Sequence, residues 1–342
     1  MKKVLIVIFL IIAGIGVYSA WQIFGPVVKV PEGGYFYIRT GDDFQTVKHN
    51  LAEQHIIGST FFFHHLAKKT KYNNNIKAGK YAIKKGMSVF QLLKMFKGGR
   101  QEPVRLIINK LRTKEDLAGK IGRLFETDST SVIDFLLNND SLSKYQLDTN
   151  TVLSMVIPNT YQFWWNSTVK NIFSRLHQQC DIFWEGERIK KAEAKGLSKE
   201  QVYTLASIVE EESNKQEDKG LIASVYLNRL KKGMRLEADP TVKYAMRDFG
   251  LKRIRYVHLN FPSPYNTYRN TGLPPGPICT PSINTIDAVL NAPETNYLFF
   301  AAKPTLDGYH NFSSTYQEHL KFARDYQKAL DSLMNSRQNN SR

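Results

Sequence analysis

The sequence is poor in cysteine, with Cys180 and Cys279 the two in 342 residues. They lie far apart and in no CxxC or Cys/His spacing, which argues against a zinc site or a disulfide framework and leaves one optional disulfide open. Three of the eight histidines, His49, His64 and His65, fall on predicted helices in a lysine-rich stretch. Solvated or packed rings are the ordinary outcome there, so no metal and no cofactor is expected. Acidic side chains are outnumbered, 31 against 47 basic ones, for a formal net charge of +16. That excess points to an anionic partner, whether nucleic acid, anionic lipid or an acidic polymer. The 42% apolar content is ordinary for a folded chain, and the length leaves room for two modest domains.

Lys2 and Lys3 precede an apolar run, residues 4–24, long enough to cross a hydrocarbon core. A cleaved signal peptide with Val17 and Ser19 as its small-residue site is the alternative. The run continues through Ala20, Trp21, Ile23 and Phe24, however, which is long for a signal and favours a membrane anchor. The positive-inside rule then puts residues 1–3 in the cytoplasm and the rest outside. Nucleic acid becomes an unlikely partner on that placement, which leaves the membrane surface and the cell wall.

Residues 25–100 read as a small α+β module. Tyr35 to Ile38 is extended, a helix follows Asp42 or Asp43, and another starts near Ser59. Ala78 to Ile83 has strand character, and Ser88 caps a helix over Val89 to Phe96. No catalytic constellation stands out in this module. Further on, Val104 to Asn109 reads as a strand, Thr113 with Asp116 opens a helix, and one long helix is expected from Ile172 to about Lys195. The polar tail, residues 335–342, reads as disordered.

The stretch SKEQVYTLASIVEEES, residues 198–213, is the best-signalled helix. Ser198 and Gln201 form a capping box, and Val202, Leu205, Ala206 and Val209 recur at helical spacing. At about 100° per residue, Glu211 points away from that stripe while Glu210 and Glu212 lie on its two margins. Glu212 has Leu205, Ile208 and Val209 beside it, and desolvation by such neighbours raises a carboxyl pKa toward that of a proton donor near neutral pH. A solvated polar helix end is the competing reading of the same three carboxylates.

Glu237, in an extended segment after the next helix, is the second carboxylate candidate. Asp239 before Pro240 reads as a helix cap, a sufficient structural role. The segment VIPNTYQFWW contributes Asn159 and Tyr161 as candidates, its aromatic density suiting sugar rings or core packing alike. A long proline-rich loop over 264–277 offers Tyr265, Asn266 and Tyr268, chemistry suited to a polyhydroxylated substrate.

The motifs LASIVEEES (205–213), MRLEADPTVKYAM (234–246), YNTYRNTGLPPGPICTPS (265–282) and YHNFSSTYQEH (309–319), with IPNTYQF (157–163), stand in the order seen in the membrane-anchored endolytic murein transglycosylases. The chain resembles that family, the MltG or YceG-like proteins, over essentially its whole length. The resemblance implies a carbon–oxygen lyase that cuts between N-acetylmuramic acid and N-acetylglucosamine within peptidoglycan strands and leaves 1,6-anhydro ends. It implies Glu212 as the catalytic acid and base, while Glu237, Tyr265, Asn266, Tyr268, Asn159 and Tyr161 are the substrate-binding candidates on the chemistry of the residues themselves. It also implies an α+β fold: a single transmembrane helix, a LysM-like module over 25–100 and a catalytic domain over 101–334. Expected partners are glycan strands, the plasma membrane and peptidoglycan synthases, with no nucleic acid. The chain departs from the family at Glu237, where Gln is frequent, and at Asn159, where Asp is common. Two other classes stay open: a hydrolytic muramidase using Glu237, and a non-catalytic wall-binding scaffold.

Overall fold

The computed structural model describes the backbone of residues 2–340 and the side chains of residues 2–336. Helix α1 (Lys2–Phe24) is apolar and exposed along its length, with mean hydropathy 2.5 over its best window. Its 23 residues rise about 35 Å, enough for a hydrocarbon core of about 30 Å. The rest is mixed α+β, and it divides into two compact units that interleave in sequence. One comprises residues up to 106 with 121–128 and 162–168; the other comprises 107–120, 129–161 and 169 onward.

In the first unit β1 (Tyr35–Ile38) pairs antiparallel with β2 (Gly79–Ala82), Tyr35 opposite Ala82 and Ile38 opposite Gly79. Helices α2 (Phe44–Glu53) and α3 (Thr60–Lys69) lie between the strands in sequence, and α4 (Val89–Gly98) follows. Each helix begins where the sequence supplies a cap: Asp43 accepts from the Thr46 N–H, Ser59 from Phe61, and Ser88 with Gln91 forms a full capping box. Such caps contribute about 1 kcal/mol each. Phe36, Ile38, Val47, Leu51, Phe63, Leu92 and Phe96 close one apolar core.

Strands β3 (Val104–Ile107) and β4 (Thr160–Phe163) pair, and helix α5 (Lys114–Leu124) follows β3; all three run from one unit into the other. The second unit adds α6 (Ser129–Leu136), α7 (Asn139–Ser143), α8 (Val169–Trp184) and α9 (Glu187–Ala194). The helix expected over 172–195 is thus two, because Gly186 takes φ 74°, a left-handed conformation that ends α8. Next come α10 (Lys199–Glu212), α11 (Gln216–Lys231), α12 (Asp239–Met246), α13 (Tyr256–Leu259) and α14 (Ile283–Leu290). Strands β5 (Phe299–Ala302) and β6 (His310–Ser313) form an antiparallel pair covered by α15 (Tyr316–Asn340). Residues 335–340, expected to be disordered, continue that helix, while residues 341 and 342 and Met1 lie outside the described part.

Helix α10 is the centre of the second unit. Every residue from Val202 to Val209 is buried, with α11, α12 and α14 packed against the helix. It is not the one-faced amphipathic helix its spacing suggested, since Tyr203, Thr204 and Ser207 are enclosed as well. Tyr203 is satisfied by the Val156 carbonyl at 2.6 Å, and Ser207 by the Thr204 carbonyl at 2.7 Å. The two cysteines remain free and buried: Cys180 Sγ lies against the Ser154 carbonyl and Cys279 Sγ against that of Ser207.

Candidate active site

The predicted capping box opens α10: Ser198 Oγ accepts from the Gln201 N–H and Gln201 Oε1 from the Ser198 N–H. Its other end carries Glu210, Glu211 and Glu212, an unfavourable place for carboxylates because the helix dipole is negative there, at about 0.3–1 kcal/mol each. Three negative charges at one C-terminus need compensation or protonation.

The three side chains meet different fates. Glu210 Oε2 accepts from Lys219 Nζ at 2.9 Å, from Ser282 Oγ at 2.9 Å and from Thr285 Oγ1. Burial pushes its pKa up, but these bonds outweigh it and hold the carboxyl below its ordinary value. Glu211 pairs with Lys110 at 2.8 Å and with Arg112 at 3.1 Å, and there too the cations overcome burial. The helical wheel directed Glu211 toward solvent; the Lys110 to Arg112 segment covers that side instead.

Glu212 has no such cation bonded to it. Tyr226 Oη, from α11, donates to Glu212 Oε1 at 2.6 Å. Burial raises the carboxyl to about 7; the Tyr226 bond and Lys243 pull down, while Asp239 and Glu211 push up. With Oε1 fixed as an acceptor, Oε2 is the oxygen left to carry a proton. At neutral pH both protonation states of this one group are populated, the condition for donating and then accepting a proton.

Two chain segments bring the remaining groups to this point. Arg229, buried on α11, donates to the carbonyls of Arg235 and Leu236 and to Glu237 Oε2 at 3.1, 2.9 and 3.1 Å, and its Nε reaches the Leu298 carbonyl at 2.7 Å. That clamp holds Glu237 at φ 55°, a strained setting for a side chain with a β-carbon. Beyond it, the N–H groups of Glu237 and Ala238 bond to the Thr267 carbonyl and hydroxyl. The same tie places Tyr268, whose Oη donates to Asp239 Oδ1 at 2.6 Å.

Asp239 is not a cap, contrary to the expectation for an Asp-Pro pair. Ala238 occupies the N-cap position, no side chain caps α12, and the exposed Asp239 carboxylate faces Tyr268 and acts on Glu212. Of the predicted residues, Glu212 and Tyr268 are brought together, with Glu237 beside them but held by Arg229. Asn266 is buried; its amide donates to the Leu259 and Phe261 carbonyls at 2.9 and 2.8 Å and its Oδ1 accepts from the Tyr268 N–H, so it shapes the loop. Tyr161 is buried, its hydroxyl on the Ile157 carbonyl at 2.5 Å. Tyr265 packs on Tyr244 in a separate cleft of about 150 Å³ with Lys114 and Arg247. The loop is drawn in at Gly276, where a β-carbon would stand 2.1 Å from the Asn150 carbonyl oxygen. Asn159 is exposed in a cleft of about 380 Å³ with Lys110, Glu210 and Ser282. Tyr226 and Asp239 are the groups sequence reasoning missed. Tyr226 carries the only hydroxyl in the stripe Leu221, Ile222, Val225, Tyr226, Leu230, and a buried phenol needs a partner. Among the described residues, no three His, Cys, Asp or Glu side chains gather as a metal site requires.

The fold and the site are those of an α+β protein with a span-length N-terminal helix and, at the end of a buried helix, a glutamate whose pKa burial raises to about 7. A profile of the YceG-like family matches residues 36–325, and the chain belongs to that family. The endolytic murein transglycosylase of Bacillus subtilis strain 168 is 30% identical over 305 residues, covering 84% of this chain and 83% of that protein. Its namesake from Streptococcus pneumoniae serotype 2 strain D39 is 26% identical over 352 residues, covering 91% of this chain and 62% of the longer relative. The crystal structure of a YceG-like protein from Listeria monocytogenes matches with a TM-score of 0.56 at 27% identity, covering 84% of this chain and 97% of that one.

Proposed function

We propose that this chain is an endolytic peptidoglycan lytic transglycosylase that cuts the MurNAc–GlcNAc bond with Glu212 as its single acid and base. The relatives' name supports the activity, and the observation that carries the assignment is the contrast among three adjacent carboxylates. Two are neutralised by cations and lie below the ordinary range, while Glu212, held by a neutral tyrosine, lies at about 7.

Glu212 Oε2 gives its proton to the glycosidic oxygen as the bond from muramyl C1 breaks, and the freed GlcNAc leaves with a 4-hydroxyl. The positive charge developing at C1 is shielded by the muramyl 2-acetamido group. The ionised Glu212 then takes the proton of the same sugar's 6-hydroxyl as that oxygen bonds to C1, which closes the 1,6-anhydro ring and restores the acid. No water is consumed, and the nucleophile is intramolecular, an advantage worth several kcal/mol. Ordinary glycosidases add a second carboxylate for nucleophile or water. Glu237 suits that role poorly because Arg229 holds it, but the exposed Asp239 keeps a hydrolytic reading in view.

Helix α1 is read as the anchor, N-terminus inside and the rest outside, with the LysM-like reading of 25–100 giving a module that holds glycan. Tethering concentrates the enzyme on strands being made at the membrane, beside peptidoglycan synthases, so it limits strand length. The basic surface suits anionic lipid and carboxylate-bearing stems.

Mass spectra of the fragments released from purified glycan strands test the reading. Wild type is expected to leave anhydro ends in the middle of strands, and Glu212→Gln to lower the rate by about 10³-fold or more with the fold intact. Reducing ends carrying solvent ¹⁸O would establish hydrolysis instead, and a Glu212→Gln rate within tenfold of wild type would remove Glu212 from the mechanism.

A further inference from the structure

Helices α9 and α11 and the segment after α14 enclose a cleft of about 590 Å³ that shares no residue with the surroundings of Glu212. Its walls are fixed by hydrogen bonds. Asn228 Nδ2 donates to the Thr295 and Tyr297 carbonyls at 2.8 and 3.0 Å, and the Ser224 and Thr295 hydroxyls meet at 2.8 Å.

Charge in this cleft is unbalanced, with Lys191, Lys195 and Lys231 facing one acid, Glu294. Lys195 spends one N–H on the Ala292 carbonyl at 3.2 Å and Lys191 one on Asn291 Oδ1 at 2.7 Å, and an ammonium carries three. Burial lowers the Lys195 pKa, the like charge of Lys231 lowers it further, and Glu294 opposes them. Two ammonium groups near enough to repel each other in a preformed cleft are relieved by a bound anion. A phosphate dianion would also meet Glu294, whereas a ligand with a carboxylate at one end and an amine at the other satisfies both signs. The volume lies in the range of small-ligand sites and admits a short peptide.

We infer that this cleft binds the free carboxyl end of a short zwitterionic peptide, the carboxylate on Lys195 and Lys231 and the amine toward Glu294. On the activity proposed above, and resting on it, that peptide is an uncrosslinked stem, so the cleft makes the enzyme select strands whose stems still end in a carboxylate.

Calorimetric titration of the full chain in detergent tests this with Nα-acetyl-lysyl-D-alanyl-D-alanine, its C-terminal amide and inorganic phosphate. The acid is expected to bind about tenfold or more tightly than the amide, and more tightly than phosphate. Lys195→Gln/Lys231→Gln should erase the preference, and Glu294→Gln should weaken the acid several-fold; Lys231→Glu, at an exposed position, serves if the double variant does not fold. Equal affinity for acid and amide, a preference that survives either lysine variant, or tighter binding of phosphate overturns the inference. The peptide has no glycosidic bond and Glu212→Gln should bind it normally, so peptide binding with uncut strands would refute the proposed activity alone, and cut strands with no peptide preference the cleft alone.

Discussion

In the N-terminal unit the buried side chains are Phe36, Ile38, Val47, Leu51, Phe63, Leu92 and Phe96 with their neighbours, and Ser88, a helix cap, is the small polar exception among the described residues. Around α10 the interior also takes in Asp218, Lys219, Arg229, Thr241, Asn266, Thr267 and Thr285. The first core is held by apolar burial, which is non-directional and tolerant. The second adds to its apolar burial paired charges and directed hydrogen bonds, which leave little freedom in where each group sits. Lys219 ties Glu210 to Thr285, and His310 ties β6 to Asp218 through its N–H and Nδ1 at 2.8 and 2.9 Å. The polar core surrounds Glu212, which of the three adjacent carboxyls is the one without a bonded cation, and on the proposed reading its rigidity holds the acid in place.

The largest expected effect probes how the two cores fail. Lys219→Met leaves Glu210 buried without its cation and should destabilise by about 3–5 kcal/mol. Leu92→Ala should lose a similar amount, about 2–5 kcal/mol, by opening a cavity. Only the first loss should depend on pH. The Glu210 pKa is lowered on folding, so the advantage of wild type over Lys219→Met is full above the ordinary carboxyl range and shrinks as acid protonates Glu210. Chemical denaturation at pH 7 and pH 4 measures both; equal pH dependence in the two variants would erase the distinction.

A smaller effect of opposite sign belongs to Glu212. Its folded pKa is raised from 4.5 to about 7, so between those values the folded state keeps a proton that the unfolded chain has released. Wild-type stability therefore falls as pH rises through that window. Glu212→Gln carries no such penalty and should match wild type at pH 4 while exceeding it by about 2 kcal/mol at pH 8, partial exposure taken into account. Melting curves at the two pH values check it, and a variant less stable at pH 8 would mean the carboxylate is welcome where it sits.

The smallest effect lies in the apolar core. Tyr72 is fully buried and its hydroxyl has no partner among the described residues. Tyr72→Phe should gain about 1 kcal/mol. A loss of stability would reveal polar support inside this apolar core.

The same contrast explains how much could be read beforehand. In the first unit β1, β2 and the starts of α2, α3 and α4 follow from alternation and from Asp43, Ser59 and Ser88, all local signals. For α10 the capping box and the apolar neighbours of Glu212 were legible, and they located the raised carboxyl. Most partners of Glu210 and Glu211 were not, because Lys110, Arg112, Ser282 and Thr285 come from about 70 to 100 positions away and no local pattern announces them; Lys219, nine positions from Glu210, is the near exception. An Asp-Pro pair commonly caps a helix, but at Asp239 the Arg229 clamp and the Thr267 tie turn the carboxylate toward Tyr268 instead. Asn266 and Tyr161 have the chemistry of ligand contacts, but the loop and strand that carry them consume it internally.

On the proposed mechanism Glu212 is the one carboxyl of the three kept ready to give a proton at neutral pH. Carbon-13 NMR of the full chain labelled at glutamate side-chain carboxyls, with Glu210→Gln, Glu211→Gln and Glu212→Gln to assign the signals, reads that directly. Glu212 should titrate near 7 while Glu210 and Glu211 titrate below 4.5. A Glu212 signal that is already ionised at pH 5, alongside the other two, would contradict it.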